Sequence, residues 1–487
     1  MRAEPSGASH IAAHGDVLRW PVVGSFLRWR HARSSMQLVL LCIAGAVVVH
    51  GLAGPDLAPA NLSTVLTWVH YRGLLVVALL AAGNLFCAGC PFVLVRDWGR
   101  RTHAPSRTWP SRLRGKWIAI VLFVAVLFAY ELFDLWALPS ATAYLVLAYF
   151  VAALAVDLVF KGATFCKHIC PIGQFNFVAS TVSPLELRIK ESTTCQTCRT
   201  EDCIAGRRAP EAPLVLVQRG CELGLFLPAK VGNLDCTFCL DCVQACPHDN
   251  IALTGRTPGI ELADERRRSG IGRLARRPDL AVLSVLFAFA AMLNAFAMVS
   301  PVHRVEQWLS AMLGTTSEFV VLSCMFAFGL GAAPVVLVGL AAGSTRATSG
   351  GAGSLVDVAT RYAYAFVPFG FGMWLAHYSF HFLTGALTVV PVTQNATVDL
   401  LGWPALGEPL WRWAGMRPGA VFPIQLGCIV LGTIGSLAIA HLISQRDSPE
   451  RAVRATAPWV VAFVLLAAVA IWVLFQPMEM RGLGFGA

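Results

Sequence analysis

Charged side chains are scarce in this sequence. Asp, Glu, Lys and Arg make up 14% of its 487 residues and hydrophobic residues 56%, whereas about a quarter of a soluble globular protein is charged. The shortage excludes an ordinary soluble domain and favours a chain whose surface largely contacts membrane lipid. The formal charge of +10 does not indicate nucleic acid as a partner, because most arginines lie in short loops between apolar runs.

A cleavable export signal is not expected from the sequence. The N-terminal segment 1–35 is rich in arginine, and no small-residue cleavage site follows the first apolar run, so that run is predicted to be a retained helix. Since a membrane-spanning helix needs roughly 20 apolar residues, the sequence predicts nine of them. The predicted spans are Met36–Leu52, Val65–Phe86, Trp117–Leu138, Ala141–Phe160, Leu280–Val299, Phe319–Leu340, Tyr364–Val389, Ile424–Ile443 and Trp459–Phe475.

These spans divide the chain into four parts. A four-helix membrane domain at 36–160 and a C-terminal membrane domain of about five helices at 280–487 flank a polar insert at 161–279. Arginine and lysine in the short loops fall mostly on the same side as the N-terminus, and such loops stay in the cytoplasm. The N-terminal segment 1–35 and the insert are therefore predicted to be cytoplasmic, and the C-terminus to lie outside.

Four cysteines in the insert have a spacing typical of iron–sulfur proteins. In the pattern Cys-x2-Cys-x2-Cys-x3-Cys-Pro, three thiolates surround one face of a cubane and the fourth reaches a second cluster. A structural zinc site is the alternative, but it usually takes its ligands from pairs separated by a longer loop. The four residues are Cys236, Cys239, Cys242 and Cys246.

Four further cysteines complete two ligand sets. The pairing rule of two-cluster ferredoxins assigns Cys195, Cys198, Cys203 and Cys246 to cluster one, and Cys236, Cys239, Cys242 and Cys221 to cluster two. The insert is thus predicted to be a ferredoxin-like α+β domain with two [4Fe–4S] clusters. Two departures leave a degenerate or [3Fe–4S] first cluster open: the wide spacing before Cys203, and Glu222 in place of proline after Cys221.

Two cysteine pairs stand at predicted helix ends. Cys87 and Cys90 close the second span, Cys166 and Cys170 follow the fourth, and the proline after each pair is expected to end the helix. Both pairs fall on the cytoplasmic side, so the four thiols can converge on a third metal centre or form a dithiol that passes electrons. Packing as small hydrophobic side chains is the alternative. The cysteines alone within spans, expected simply to pack, are Cys42, Cys324 and Cys428.

With these motifs the sequence resembles the membrane polyferredoxins of the NapH and NosR type. The resemblance covers about residues 36–253 and is carried by helix-end CxxCP and CxxxCP motifs followed by CxxC motifs that end in Ala245-Cys246-Pro247. It implies a multi-pass protein of the bacterial inner (cytoplasmic) membrane. It further implies electron movement between the quinone pool, the cytoplasmic clusters and a redox partner such as a periplasmic reductase or respiratory complex. The five C-terminal helices fall outside the resemblance.

Two histidines in the seventh predicted span are candidate ligands. Ionisable side chains inside a membrane are costly, so each is a functional hypothesis. His377 and His381 are four residues apart and share one helix face, a spacing that suits haem b or copper. Quinone or proton chemistry and ordinary structural hydrogen bonding are the alternatives.

Together these features predict a membrane-bound iron–sulfur electron transfer protein. No general acid, nucleophile or phosphate-binding loop is recognisable, so an electron-transfer subunit is expected rather than a self-sufficient enzyme. Two alternatives remain. One is a factor that assembles or reduces a partner's copper site through the helix-end thiols. The other is a redox-linked ion transporter that uses the C-terminal helices and their histidines.

Overall fold

A computed structural model describes residues 15–349 and 353–479. The first fourteen residues of the predicted N-terminal segment 1–35 lie outside the described residues, as do residues 350–352 and 480–487. The chain forms two compact units. The cysteine-rich unit comprises the residues up to Ile43, Ala78–Gly115 and Tyr149–Arg277, and the helical unit comprises Ala44–Val77, Lys116–Ala148 and the residues from Pro278 onward.

Seven of the described helices are long and apolar enough to cross a membrane. They coincide with seven of the nine predicted spans and confirm a polytopic helical membrane protein. Many of their exposed side chains are large and apolar, such as Leu340 and Leu431, as contact with lipid requires. The seven helices are Ala32–Ala53, Leu62–Ala82, Pro139–Val159, Pro278–Phe296, Glu318–Ser349, Pro418–Asp447 and Pro449–Leu474.

Two predicted spans differ from this pattern. Trp117–Leu138 is helical only over the 16 residues Trp117–Leu132, because the chain then turns through Asp134, whose φ of 44° is incompatible with a right-handed helix. Tyr364–Val389 contains the 19-residue helix Phe366–Thr384. This helix is not among the seven apolar ones because it carries two histidines, a tyrosine and a serine in its second half.

The cysteine-rich unit contains short helices and two small sheets, which agrees with the predicted α+β character. Strand β1 (Leu185–Ile189) pairs antiparallel with β4 (Ile251–Gly255). Strands β2 (Arg207–Ala209) and β3 (Ala212–Gln218) form a bulged antiparallel hairpin. The short helices are Val23–Arg28, Leu85–Ala88, Pro91–Thr102, Pro171–Ala179, Ser192–Thr197, Asp202–Ala205 and Asp241–Ala245.

An apolar core underlies the cysteines of this unit. Leu187 of β1 and Leu253 of β4 are buried together with Phe238 and Leu18. The carboxylate of Asp16 accepts hydrogen bonds from the backbone N–H groups of Leu18 and Leu253, each at 3.1 Å. The residues that precede the first membrane helix are therefore built into the same core as the two-stranded sheet.

Two long helices form the centre of the helical unit, Phe366–Thr384 and Pro418–Asp447. A Cβ atom on Gly372 would lie 2.5 Å from the carbonyl oxygen of Cys428, so only glycine permits this close approach of the backbones. Small residues at helix contacts serve the same purpose in membrane proteins generally. The unit also contains the helices Pro301–Leu313, Leu355–Tyr362 and Val389–Leu401.

Candidate metal centres

Cavity one is a partly open pocket in the cysteine-rich unit. Its lining includes the side chains of Leu227 and Ile251, while Glu201 and His248 are exposed. All four of the cysteines that the sequence assigns to cluster one line this cavity. They are Cys195, Cys198, Cys203 and Cys246.

Cavity two is a second pocket in the same unit. Lys230 lines it with a side chain that is 4% exposed, and its Nζ donates to the carbonyl oxygen of Leu187 at 2.9 Å and lies 3.4 Å from Oε1 of Glu186. Five buried leucines also line it: Leu187, Leu223, Leu225, Leu227 and Leu240. All four of the cysteines assigned to cluster two line it as well, namely Cys221, Cys236, Cys239 and Cys242.

The loop from Cys236 to Cys242 bends through left-handed residues. Phe238 and Leu240 have φ angles of 52° and 62°, a region that residues other than glycine rarely adopt. These bends let three closely spaced cysteines line one cavity. The buried Phe238 ring holds the loop in place against Gly83, where an added Cβ would lie only 2.6 Å from the ring.

Hydrogen bond donors point at several of the cysteine sulfurs. Asn250 donates its side-chain Nδ2 to Sγ of Cys195 at 3.2 Å and its backbone N–H to Sγ of Cys246 at 3.5 Å. The backbone N–H of Leu225 donates to Sγ of Cys221 at 3.4 Å. Hydrogen bonds to sulfur are one of the means by which a protein sets the potential of an iron–sulfur cluster. Asn250 was not predicted as a site residue, and its place four residues after Cys246 is its only signal in the sequence.

Burial opposes ionisation of these thiols. It raises the pKa of Cys236, Cys239 and Cys242, and raises that of Cys203 to about 11. A cysteine binds metal as the thiolate. Because the apolar surroundings do not stabilise a thiolate, a positively charged metal core has to stabilise it. Four cysteines around each of two cavities fit the cysteine ligation of [4Fe–4S] clusters.

Cys221 belongs to no CxxC motif, and ion pairs of the next residue hold its position. Glu222 accepts a hydrogen bond from Nη2 of Arg96 at 2.8 Å and lies 3.4 Å from Nη1 of Arg219. The Arg96 side chain is 1% exposed and also pairs with two aspartates. Burial alone would raise the pKa of Glu222, but the surrounding guanidinium groups, Arg96 foremost, lower it to about 2. Glu222 is therefore an anchored carboxylate.

The four helix-end cysteines also come together. The thiols of Cys90 and Cys166 each lie within electrostatic range of Cys170, and that of Cys87 does as well. Cys90 and Cys170 are each the N-cap of a following helix whose first residue is the proline. The preceding helices Leu85–Ala88 and Phe165–Ile169 end just before these prolines, as expected. Each proline also begins the next helix, because proline lacks an N–H group and suits the first helical position.

Polar groups also surround this set. Asn176 donates to Sγ of Cys87 at 3.3 Å, and the backbone N–H of Gly173 donates to Sγ of Cys170 at 3.2 Å. Burial raises the pKa of all four thiols, that of Cys87 to about 12. The side chain of Asn84 donates to the carbonyl oxygen of Cys236 at 3.0 Å. The turn that precedes Cys87 thus contacts the loop around cavity two.

No three His, Cys, Asp or Glu side chains within residues 15–349 and 353–479 lie close enough to hold a single metal ion. A single zinc ion with bonds of about 2.3 Å would bring the sulfurs of its cysteine ligands within roughly 4 Å of one another. A cubane keeps the cysteine sulfurs farther apart, because the iron and sulfide of the cluster lie between them. A third centre at the helix ends and a haem or copper site at the histidine pair stay predictions.

Of the lone cysteines, Cys42 is exposed, and Cys324 and Cys428 are half-buried.

The histidine pair lies in the helix Phe366–Thr384 of the helical unit. The ring centroids of His377 and His381 are 5.1 Å apart with their planes at 84°, and Nε2 of each ring has no hydrogen bond partner. Arg72 lies within electrostatic range of both rings. The sequence analysis gave Arg72 no role, although a charged residue within a predicted span is itself a signal.

Comparison with known proteins gives a partial match. No family model and no solved structure matches the chain. Over 199 residues, which are 37% of this chain and 65% of the relative, it is 28% identical to "Ferredoxin-type protein NapH" of Escherichia coli. The chain is similar to a ferredoxin-type protein. This similarity confirms the NapH part of the resemblance inferred from the cysteine motifs.

A second curated relative is an uncharacterized protein of Methanocaldococcus jannaschii. It is 23% identical over 205 residues, which are 40% of this chain and 73% of the relative. The chain matches just under two thirds of the length of NapH.

Proposed function

We propose that this protein is a membrane-bound iron–sulfur electron carrier. It passes single electrons between the quinone pool and a redox partner such as a respiratory complex or a periplasmic reductase. The observation that supports this most strongly is the pair of cavities, each lined by four cysteines. The similarity to a ferredoxin-type protein supports the same function. A [4Fe–4S] cluster supplies the chemistry, since it takes up and releases one electron at a time.

The chain's own residues hold and tune the two clusters in this proposal. Asn250 donates hydrogen bonds to two sulfurs of cavity one, and Leu225 to one of cavity two. Lys230 brings a buried positive charge to the wall of cavity two. Both kinds of contact favour the more negative, reduced state, so these residues raise the potential of the cluster beside them.

The proposed orientation places the cysteine-rich insert in the cytoplasm and the C-terminus outside. The arginines of the short loops support this orientation, and the cytoplasm keeps cysteine thiols reduced. Ligation by eight free cysteines requires such a compartment.

The decisive experiment is anaerobic purification with iron and sulfide counts and EPR spectra of the dithionite-reduced protein. About eight iron atoms per chain are expected for two cubanes. A Cys239→Ser variant is expected to lose the cluster of cavity two and keep that of cavity one. The matched control is Cys428→Ser, which removes a cysteine from a membrane helix and leaves the iron count unchanged. A colourless protein, or one that holds zinc alone, would contradict the proposal.

A copper-handling factor is the second candidate function. The observation that favours it is the set of four helix-end thiols, one buried and three half-buried, which lie within electrostatic range of one another. Copper(I) prefers such soft thiolate ligands. A copper-loaded protein would lose its copper in a Cys90→Ser variant and keep eight iron atoms. If the unmodified protein instead holds more than eight iron atoms per chain and the same variant holds about eight, the four thiols hold a third iron–sulfur centre. Metal counts unchanged by the substitution would contradict both assignments.

A further inference from the structure

Arg72 brings a positive charge into the interior of the helical unit. Its side chain lies in the membrane-spanning helix Leu62–Ala82 and is 9% exposed. The guanidinium carbon lies 4.9 Å, 5.0 Å and 4.8 Å from the ring centroids of Trp68, Tyr130 and Tyr378. Nη2 also donates to the Tyr130 hydroxyl at 3.0 Å. Three aromatic rings therefore hold the guanidinium group in one position.

Arg72 forms no ion pair in the part of the chain that the structure describes, although the buried carboxylate of Glu131 lies within electrostatic range of Tyr130 and Tyr378. The polar contacts of Arg72 are the Tyr130 and Tyr378 hydroxyls and the carbonyl oxygen of Trp68, the last at 3.1 Å. A charged side chain without an ion-pair partner inside a membrane is costly and marks a functional site by default. The aromatic rings offset part of that cost through cation–π attraction, but they do not neutralise the charge.

Two imidazole nitrogens without partners lie within electrostatic range of this charge. His377 is 2% exposed, and neither its Nε2 nor that of His381 has a hydrogen bond partner. The helices contact each other at this level, because a Cβ on Gly73 would lie 2.2 Å from Cβ of Phe382. Gly73 follows Arg72 and Phe382 follows His381, so the charge and the imidazoles lie at the same level of this helix pair.

Two other histidines of the helical unit, His50 and His70, have protein partners, whereas Nε2 of His303 also lacks a hydrogen bond partner. His50 contacts a carboxylate oxygen of Asp399 at 3.0 Å and accepts from the backbone N–H of Leu62 at 2.9 Å. His70 contacts two backbone carbonyl oxygens, those of Val65 and Ala386. A buried polar atom without a partner is rare and costs about 1–3 kcal/mol. The open Nε2 atoms of His377 and His381 therefore point to a ligand.

We propose that Arg72, His377 and His381 bind the head group of a membrane-soluble quinone or quinol. A quinone oxygen accepts hydrogen bonds from guanidinium and imidazole N–H groups, and a quinol hydroxyl donates to an imidazole nitrogen. The positive charge of Arg72, which has no ion-pair partner, favours a neutral or anionic ligand over a copper ion, because two positive charges at this depth repel each other strongly. The site therefore suits a quinone better than copper.

This inference rests on the proposed function, because a quinone or quinol bound here would exchange single electrons with the two iron–sulfur clusters. Arg72 and the two imidazoles hold its head group.

Equilibrium binding of a radiolabelled decyl-benzoquinone to the full chain in lipid nanodiscs tests the site. Substitutions Arg72→Gln, His377→Gln and His381→Gln are each expected to raise Kd at least tenfold, which is 1.4 kcal/mol. The matched control His441→Gln changes a histidine of the same unit that bonds to Thr456, and it leaves Kd unchanged. An Arg72→Lys variant keeps the positive charge but not the planar guanidinium group, and it provides a second measurement should Arg72→Gln fail to fold.

Failure of this inference can be told apart from failure of the proposed function. A Cys236→Ser variant, which is expected to lose the cluster of cavity two, should bind decyl-benzoquinone as the unmodified chain does. Loss of binding in that variant, or unchanged Kd in all three site variants, would overturn the quinone site. So would a stoichiometric haem or copper that disappears in His377→Gln. Absence of iron together with normal quinone binding would instead refute the electron-carrier proposal.

Discussion

Arg96 and Glu222 form a buried ion pair, with Nη2 and Oε2 2.8 Å apart, directly beside the isolated ligand candidate Cys221. Arg96 lies in the helix Pro91–Thr102, which begins immediately after the helix-end cysteine Cys90. The pair therefore ties the loop of the lone cysteine to a rigid helix. In an ordinary ferredoxin motif a proline follows the corresponding cysteine, whereas Glu222 follows Cys221 in this chain. The ion pair restrains the loop here in place of the proline.

Substituting Arg96 should damage one cluster selectively. In Arg96→Gln the Glu222 carboxylate loses its main partner, and breaking a buried pair costs about 3–5 kcal/mol. We expect the iron content to fall from about eight toward about four atoms per chain, since each cubane holds four irons. Iron analysis and EPR of the reduced protein measure this.

The control for this substitution is Arg266→Gln, which removes an exposed pair with Asp264. Exposed pairs contribute little, so the iron content should not change. Equal loss from both clusters in Arg96→Gln would mean that the ion pair supports the whole unit rather than Cys221.

Removing the side-chain donor of Asn250 should lower the potential of cluster one. Asn250→Leu deletes the hydrogen bond to Sγ of Cys195, which favours the reduced state. We expect the equilibrium constant for reduction to fall about tenfold, which is 59 mV for one electron, while cluster two keeps its potential. A redox titration followed by EPR gives both values. In the control Gln244→Ala, which removes a side chain bonded to the carbonyl oxygen of Arg28, neither value should move.

Neutralising Lys230 should have the complementary effect on cluster two. The Lys230 side chain is buried at the wall of cavity two, where a positive charge stabilises added negative charge. Lys230→Met is therefore expected to shift the potential of cluster two to a more negative value and leave that of cluster one in place. The same titration measures the shift. A shift in the potential of cluster one alone would show that the two EPR signals had been assigned to the wrong cavities.

Gly83→Ala should destabilise the cysteine-rich unit. Gly83 has a φ of +66°, and an added Cβ would lie 2.6 Å from the Phe238 ring. Strain and overpacking of this kind cost about 1–3 kcal/mol, so the melting temperature should fall. Gly45→Ala is the matched control, because its Cβ would meet nothing within 4 Å and alanine is the better helix former. Equal melting temperatures for the two variants would contradict this packing.

The sequence predicts the grouping of the eight insert cysteines because ligation depends on local spacing and one pairing rule. The membrane helices are predictable for a similar reason, since apolarity over about 20 residues is a local property. The early end of the helix Trp117–Leu132 was not predictable, because it depends on the turn at Asp134. Proline after a cysteine was equally ambiguous, since the same residue ends one helix and begins another.

The surroundings of Arg72 could not be predicted from the sequence. Trp68 lies four residues away, but Tyr130 and Tyr378 come from helices far along the chain, and no periodicity links them. Only tertiary packing decides that three aromatic rings meet one guanidinium group. The contacts of Lys230 and Asn250 could not be predicted either, because neither residue belongs to a recognisable motif.

The two cavities differ in their protection from dissolved oxygen. Exposed Glu201, Pro247 and His248 border cavity one, whereas cavity two is walled by buried leucines. Oxygen diffusing through water therefore has the shorter route to the sulfurs of cavity one. A sample opened to air would bleach in two stages, and the slower stage would belong to the centre behind the leucines.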